Sequence, residues 1–131
     1  MEFALRLPYA IGGIVPIAGF IKFKEKIKSE GTKESKETPV LLLHGNQDEI
    51  IPVSASITSN SILKERKNPV FLKTYDAGHK IPIKIAPIIK KFVLETKDFT
   101  LVWHLLLYHP SYQNQYQILL FDQHVDQNFL I

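Results

Sequence analysis

Along the first hundred residues, short apolar runs alternate with polar connections, and each run stops at a glycine or proline. Val40-Leu41-Leu42-Leu43 is the sharpest: four apolar residues that end at His44-Gly45. Runs of this length, bounded by turn residues, predict buried strands of a parallel sheet. The same pattern predicts strands over Gly13 to Ala18 and over Val70 to Tyr75. Met1 to Leu7 reads as the end of a helix that places Phe3, Ala4 and Leu7 on one face, with Pro8 stopping it. Lys22 to Pro39 reads as a surface connection with room for a short helix. Val53 to Lys67 reads as a helix of mediocre propensity because it is rich in Ser and Thr. Asn68-Pro69 then marks a turn. Ile85, Ile88, Ile89, Phe92 and Val93 recur at i, i+3, i+4, i+7 and i+8, which predicts an amphipathic helix starting near Ala86, with Pro87 in its first turn. Strand, connection, strand, helix, strand, helix is the order of a parallel α/β fold.

Composition changes this picture at one place. All 16 Lys and Arg residues lie at or before Lys97; the 34 residues after it carry only Asp98, Asp122 and Asp126 as charges. The expectation is an α/β domain over residues 1–97 and an unassigned, divergent tail over 98–131. The tail's apolar stretches are shorter than the roughly 20 residues of a membrane span, so no stable membrane span is expected. The apolar run after Ala10 does not read as a signal peptide, since its leading segment is not cationic and glycines and a proline interrupt it. A cytoplasmic location is therefore expected. There are no cysteines, which excludes disulfides and thiolate metal sites. A sequence pI near 9.1 points to anionic partners only if the charge is concentrated. Lys22 to Lys36 holds six lysines, but Glu25, Glu30 and Glu34 interleave with them, and no recognition motif accompanies them. Nucleic-acid binding is not expected.

Two residues stand where chemistry is placed in parallel sheets, just past the carboxyl ends of strands. Asp48 follows His44-Gly45-Asn46-Gln47, and His79 closes Tyr75-Asp76-Ala77-Gly78. Successive strands of such a sheet are often neighbours, so the two side chains can meet although 31 positions separate them. An Asp that accepts a histidine ring N–H fixes its tautomer and leaves the other nitrogen as a general base. Taken singly, Asp48 also reads as a turn or cap residue, and His79 as a cap or an exposed side chain. His44 reads as structural, and Tyr75 and Phe92 as core or near-core residues. Ser54, Ser56, Ser59 and Ser61 are present, but none sits on the strand–turn–helix elbow of a nucleophile.

Leu41-Leu-Leu-His-Gly-Asn-Gln-Asp-Glu-Ile-Ile-Pro-Val53, followed by Lys73-Thr-Tyr-Asp-Ala-Gly-His79, resembles the carboxy-terminal half of the acyl-protein thioesterase/carboxylesterase-phospholipase (lysophospholipase-like) family of α/β-hydrolases. The resemblance covers about residues 4 to 94 and implies a partial α/β-hydrolase fold of about three parallel strands with flanking helices. It implies Asp48 as triad acid, His79 as triad base, an acyl ester or thioester substrate, and neither metal nor organic cofactor. The family's nucleophile motif G-x-S-x-G is absent from this sequence, and its place in the family falls before Met1. The expectation is therefore a serine hydrolase fragment that is inactive alone. The alternative is a non-catalytic interaction module or truncated gene product, with self-association through an uncovered sheet edge. Whether the acyl group would sit on a protein, a lysophospholipid or a small ester stays open.

Overall fold

In a computed structural model, residues 1–96 are described; the expected tail over 98–131 lies outside the described residues. The chain begins with a single 3-10 turn at Ala4–Arg6, then helix α1 at Lys24–Glu30 and a second 3-10 turn at Glu34–Glu37. Strand β1 (Val40–Gly45), helix α2 (Val53–Glu65) and strand β2 (Val70–Tyr75) form a β-α-β unit. A 3-10 turn at Ile83–Ile85 leads into helix α3 over residues 86–96. β1 and β2 run parallel, in register from Val40 opposite Val70 to Gly45 opposite Tyr75.

The expected first strand is present in position but not as a continuous ladder. Ile14 pairs with Val40 and Ile17 with Leu43, both parallel, as isolated bridges on the other side of β1. Ile14 N–H donates to the Pro39 carbonyl (2.9 Å), Leu41 N–H to Ile14 (2.9 Å), Leu43 N–H to Pro16 (3.0 Å) and Ala18 N–H to Leu43 (2.8 Å). Pro16 has no N–H to donate at the intervening rung, so the ladder breaks there. Gly13, at φ 155°, leads into this segment, and a Cβ on it would lie 2.9 Å from Cε1 of Phe92.

β1 is the central strand, and all six of its residues are buried. Its alternation divides the core in two, because successive side chains point to opposite faces. Val40 and Leu42 pack with Leu5, Ile21, Ile27, Ile62 and Leu63, the side covered by α1 and α2. Leu41 and Leu43 pack with Tyr75, Ile85 and Phe92, the side covered by α3. Burying each of these leucines contributes about 1.5–3 kcal/mol. Tyr75 and Phe92 are core residues.

Two apolar faces differ from the expected ones. In the first turn the buried side chain is Leu5, while Phe3 is exposed; a single 3-10 turn is too short to show a helical face. In α3 the stripe ends at Phe92, and Val93 lies largely outside the core. The expected helix Val53 to Lys67 ends two residues earlier. Lys67 N–H donates to the Lys64 carbonyl (2.9 Å) and Asn68 N–H to Leu63 (3.0 Å), with Lys67 in the left-handed region at φ 67°. That is a Schellman stop built without glycine.

Polar groups hold the first forty residues to this unit. Glu2 Oε1 accepts the N–H groups of Lys22 (2.7 Å) and Phe23 (3.0 Å), serving as a cap for α1. The half-buried Arg66 donates to the carbonyls of Leu5 (3.2 Å) and Thr32 (2.8 Å), to Ser35 Oγ (2.7 Å) and to Asn68 Oδ1 (2.8 Å). The exposed pair Arg6–Glu30 (2.9 Å) adds about 1 kcal/mol at most.

Candidate active site

The carboxyl ends of β1 and β2 form a common rim, and both residues singled out in the sequence stand on it. Parallel pairing in register is the cause. Gly45 lies opposite Tyr75, so the loop after each strand leaves the sheet at the same level. Asn46 N–H donates to the Tyr75 carbonyl (2.9 Å) and Gln47 N–H to Ala77 (3.1 Å), which extends the pairing beyond the strands. Gly45 permits this approach. A Cβ there would fall 2.3 Å from the Ala77 carbonyl oxygen and 2.4 Å from that of Gly78. The Gln47 amide donates to Asp76 Oδ1 (2.7 Å) across the same gap.

Asp48 uses its two oxygens differently. Oδ1 accepts the N–H groups of Ile50 and Ile51, both at 2.9 Å, closing a local turn. Oδ2 lies 2.8 Å from Nδ1 of His79. A carboxylate only accepts, so Nδ1 carries a proton, and Nε2 is the nitrogen that presents a lone pair in the neutral ring. The two readings of Asp48, turn residue and partner of His79, are thus one on each oxygen. The Asp48 side chain is 1% exposed and that of His79 41%. Burial raises the Asp48 carboxyl, but the Ile51 N–H, the His79 ring and the Ile50 N–H outweigh it and hold it at about 2. Tyr75 stands near: burial, and after it the Asp48 charge, pushes its phenol upward. Its hydroxyl donates to the Lys80 carbonyl (3.1 Å), bracing the loop that carries His79.

His44 is wholly buried beneath the acid. Its Nε2 lies 2.8 Å from the Ile51 carbonyl oxygen and 3.4 Å from Asp48 Oδ2. Its Nδ1 lies 2.6 Å from Ser56 Oγ, which is also 2.9 Å from the Gly19 carbonyl oxygen. Sequence reading assigned His44 no partner and treated Ser56 only as a serine that is not a nucleophile. A signal was available: Ser56, Ser59 and Leu63 recur at helical spacing, so the serines share the buried face of α2. Ser59 accepts the Ile21 N–H (2.8 Å) and donates to the Ala55 carbonyl (2.8 Å). Ser56 faces His44, and no hydrogen bond joins Ser54, Ser56, Ser59 or Ser61 to His79 among the described residues. No group of three His, Asp or Glu side chains arranged to hold a metal occurs among the described residues. No helix among them is long and apolar enough to cross a membrane.

A buried carboxylate after one parallel strand, bonded to a histidine after the next, is the arrangement in which the acid and base of a hydrolase triad are found. The family model described as phospholipase/carboxylesterase matches residues 1–97. The chain belongs to this family. It is 30% identical over 90 residues to the carboxylesterase SOBER1 of Arabidopsis thaliana, a match covering 68% of this chain and 40% of that protein. The crystal structure of SOBER1 superposes with a TM-score of 0.67, covering 71% of this chain and 45% of that one at 29% identity. Acyl-protein thioesterase 1 of Kluyveromyces lactis is 43% identical over 47 residues, 35% of this chain and 21% of its own. A probable inactive carboxylesterase of Oryza sativa subsp. japonica is 29% identical over 75 residues, 56% of this chain and 31% of its own. The chain thus spans less than half the length of these phospholipase/carboxylesterase relatives. The partial α/β-hydrolase fold expected from the sequence is the fold observed.

Proposed function

We propose that Asp48 and His79 are the acid and base of a serine hydrolase acting on carboxylic esters or thioesters, and that the 131-residue chain is inactive alone. One observation carries the first part: the 2.8 Å bond from His79 Nδ1 to the buried Asp48, which leaves Nε2 as the proton acceptor. In this reading Nε2 takes the proton of a serine as its oxygen attacks the acyl carbonyl. The same proton goes to the departing alkoxide or thiolate, and water then releases the acyl group from the serine. The second part rests on the sequence, which contains no G-x-S-x-G. An Asp–His pair without a nucleophile has no alkoxide to generate. Purified chain assayed with p-nitrophenyl and thioester acyl substrates is expected to show no turnover above buffer. Turnover that His79→Ala abolishes overturns the inactivity.

A non-catalytic interaction role is the second reading. Phe71, on strand β2, is 60% exposed and leaves an apolar side chain uncovered at one side of the sheet. Self-association there is expected to raise the mass measured by light scattering as concentration rises, and Phe71→Lys is expected to abolish the rise. A cytoplasmic location accompanies both readings, and fractionation of cells expressing the tagged full chain tests it.

A further inference from the structure

We propose that His44 is the positioning residue of the acid: through the Ile51 carbonyl it holds the turn whose N–H groups grip Asp48. Three features of the buried ring carry this. Nε2 faces a carbonyl, which accepts only, at 2.8 Å, so the ring donates to the backbone of the turn itself. Ile51, whose carbonyl His44 holds, also donates its N–H to Asp48 Oδ1 (2.9 Å), so one peptide segment is fastened below by His44 and above by the carboxylate. The ring is fixed in turn by Ser56 of α2 at Nδ1, and the one hydroxyl proton of Ser56 lies within reach of both Nδ1 and the Gly19 carbonyl. A buried polar chain therefore runs from residue 19 through α2 and β1 to the acid. Burial alone requires partners for both nitrogens; what singles this ring out is that one partner is the carbonyl of the residue whose N–H binds Asp48. Such second partners commonly orient a functional group, and a donor is costly to bury without an acceptor.

The role rests on Asp48 being the acid, but its test reads anchorage and needs no turnover, so the two can fail separately. Asp48 is faced by His79 from the loop after β2, by His44 from β1 and by the Tyr75 ring, and all three stay in place in the reference measurement. The Asp48 carboxyl carbon is followed by NMR through an acid titration of the full chain, wild type, His44→Phe and His44→Gln. The wild-type midpoint is expected near 2. His44→Phe removes the donor to Ile51 and is expected to raise the midpoint by about one pH unit, as the carboxylate loses its N–H partners. His44→Gln, whose amide can donate to the same carbonyl, is expected to recover more than half of that rise. A folded His44→Phe with an unmoved midpoint overturns the proposal. Ring nitrogen shifts of the wild-type protein decide independently of any variant. Nε2 of His44 must carry a proton, and a bare Nε2 refutes the anchorage.

Discussion

The two loops that carry the candidate site are built to different standards. The Asp48 loop leaves the central strand, where every residue is buried, and is tied down by its own N–H groups, by His44 and by the rim of the sheet. The His79 loop leaves β2, which pairs only with β1 among the described residues, and exposes 41% of its histidine. Its ties lie nearer the surface: Asn46 and Gln47 reach across to it, Tyr75 holds Lys80, Lys80 N–H bonds Gly78 (2.8 Å), and the Lys84 ammonium reaches the Asp76 carbonyl (3.4 Å). Asp48 belongs to the core, whereas His79 is suspended from it. Under the proposed function, such a division suits an acid that must stay charged and oriented and a base that must reach a third group.

The largest effect is expected where the two loops touch. Gly45→Ala would drive a methyl into the Ala77 and Gly78 carbonyls. It is expected to cost about 3 kcal/mol in chemical denaturation and to remove the His79 Nδ1 proton signal bonded to Asp48. If that signal survives, the loops are less interdependent than their spacing indicates.

The acid loop alone is probed by pH. Asp48 is held at about 2 against an ordinary 3.8, so its folded-state value is depressed. A depressed carboxylate contributes stability above its unfolded value, and that stability is lost as pH falls from near 4 towards 2. Denaturation midpoints should decline across this window, and Asp48→Asn should show a shallower decline. An unchanged slope would place the acid dependence elsewhere.

The smallest effect is expected for the base loop. Gln47→Leu breaks the exposed bond to Asp76 and should cost about 0.5–1 kcal/mol. It should nonetheless speed amide hydrogen exchange over residues 76–80 while leaving β1 amides unchanged. Equal acceleration in both would erase the distinction between an anchored acid and a suspended base.

Much of this was legible in the chain. β1, α2 and β2 follow from apolar runs cut by Gly and Pro, and the Asp48–His79 meeting follows from parallel strands adjacent in sequence. The Gly13 to Ala18 strand was legible in place and direction but not in quality, because Pro16 removes a rung without changing the apolar pattern. Leu5 was hidden because one 3-10 turn has no periodicity to read. His44 was the deeper omission. Its partners are Ser56 on α2 and the Ile51 carbonyl, and a histidine inside an apolar run does not reveal which of its nitrogens is occupied. Arg66 likewise looks like an ordinary helix-end cation until its backbone acceptors, the Leu5 and Thr32 carbonyls, are seen.

The all-parallel arrangement also bears on the order in which the molecule assembles. Neither neighbour of β1 can be reached by a tight hairpin; each needs a crossover, and closing such loops is slow relative to forming helices. The rim that brings Asp48 to His79 exists only after the crossover from β1 through α2 to β2 has closed. The pair therefore has no precursor in either loop alone. Amide exchange in β1 should report opening of the whole unit, and Asp48 and His79 should part company only when it opens or when the loop after β2 swings away by itself.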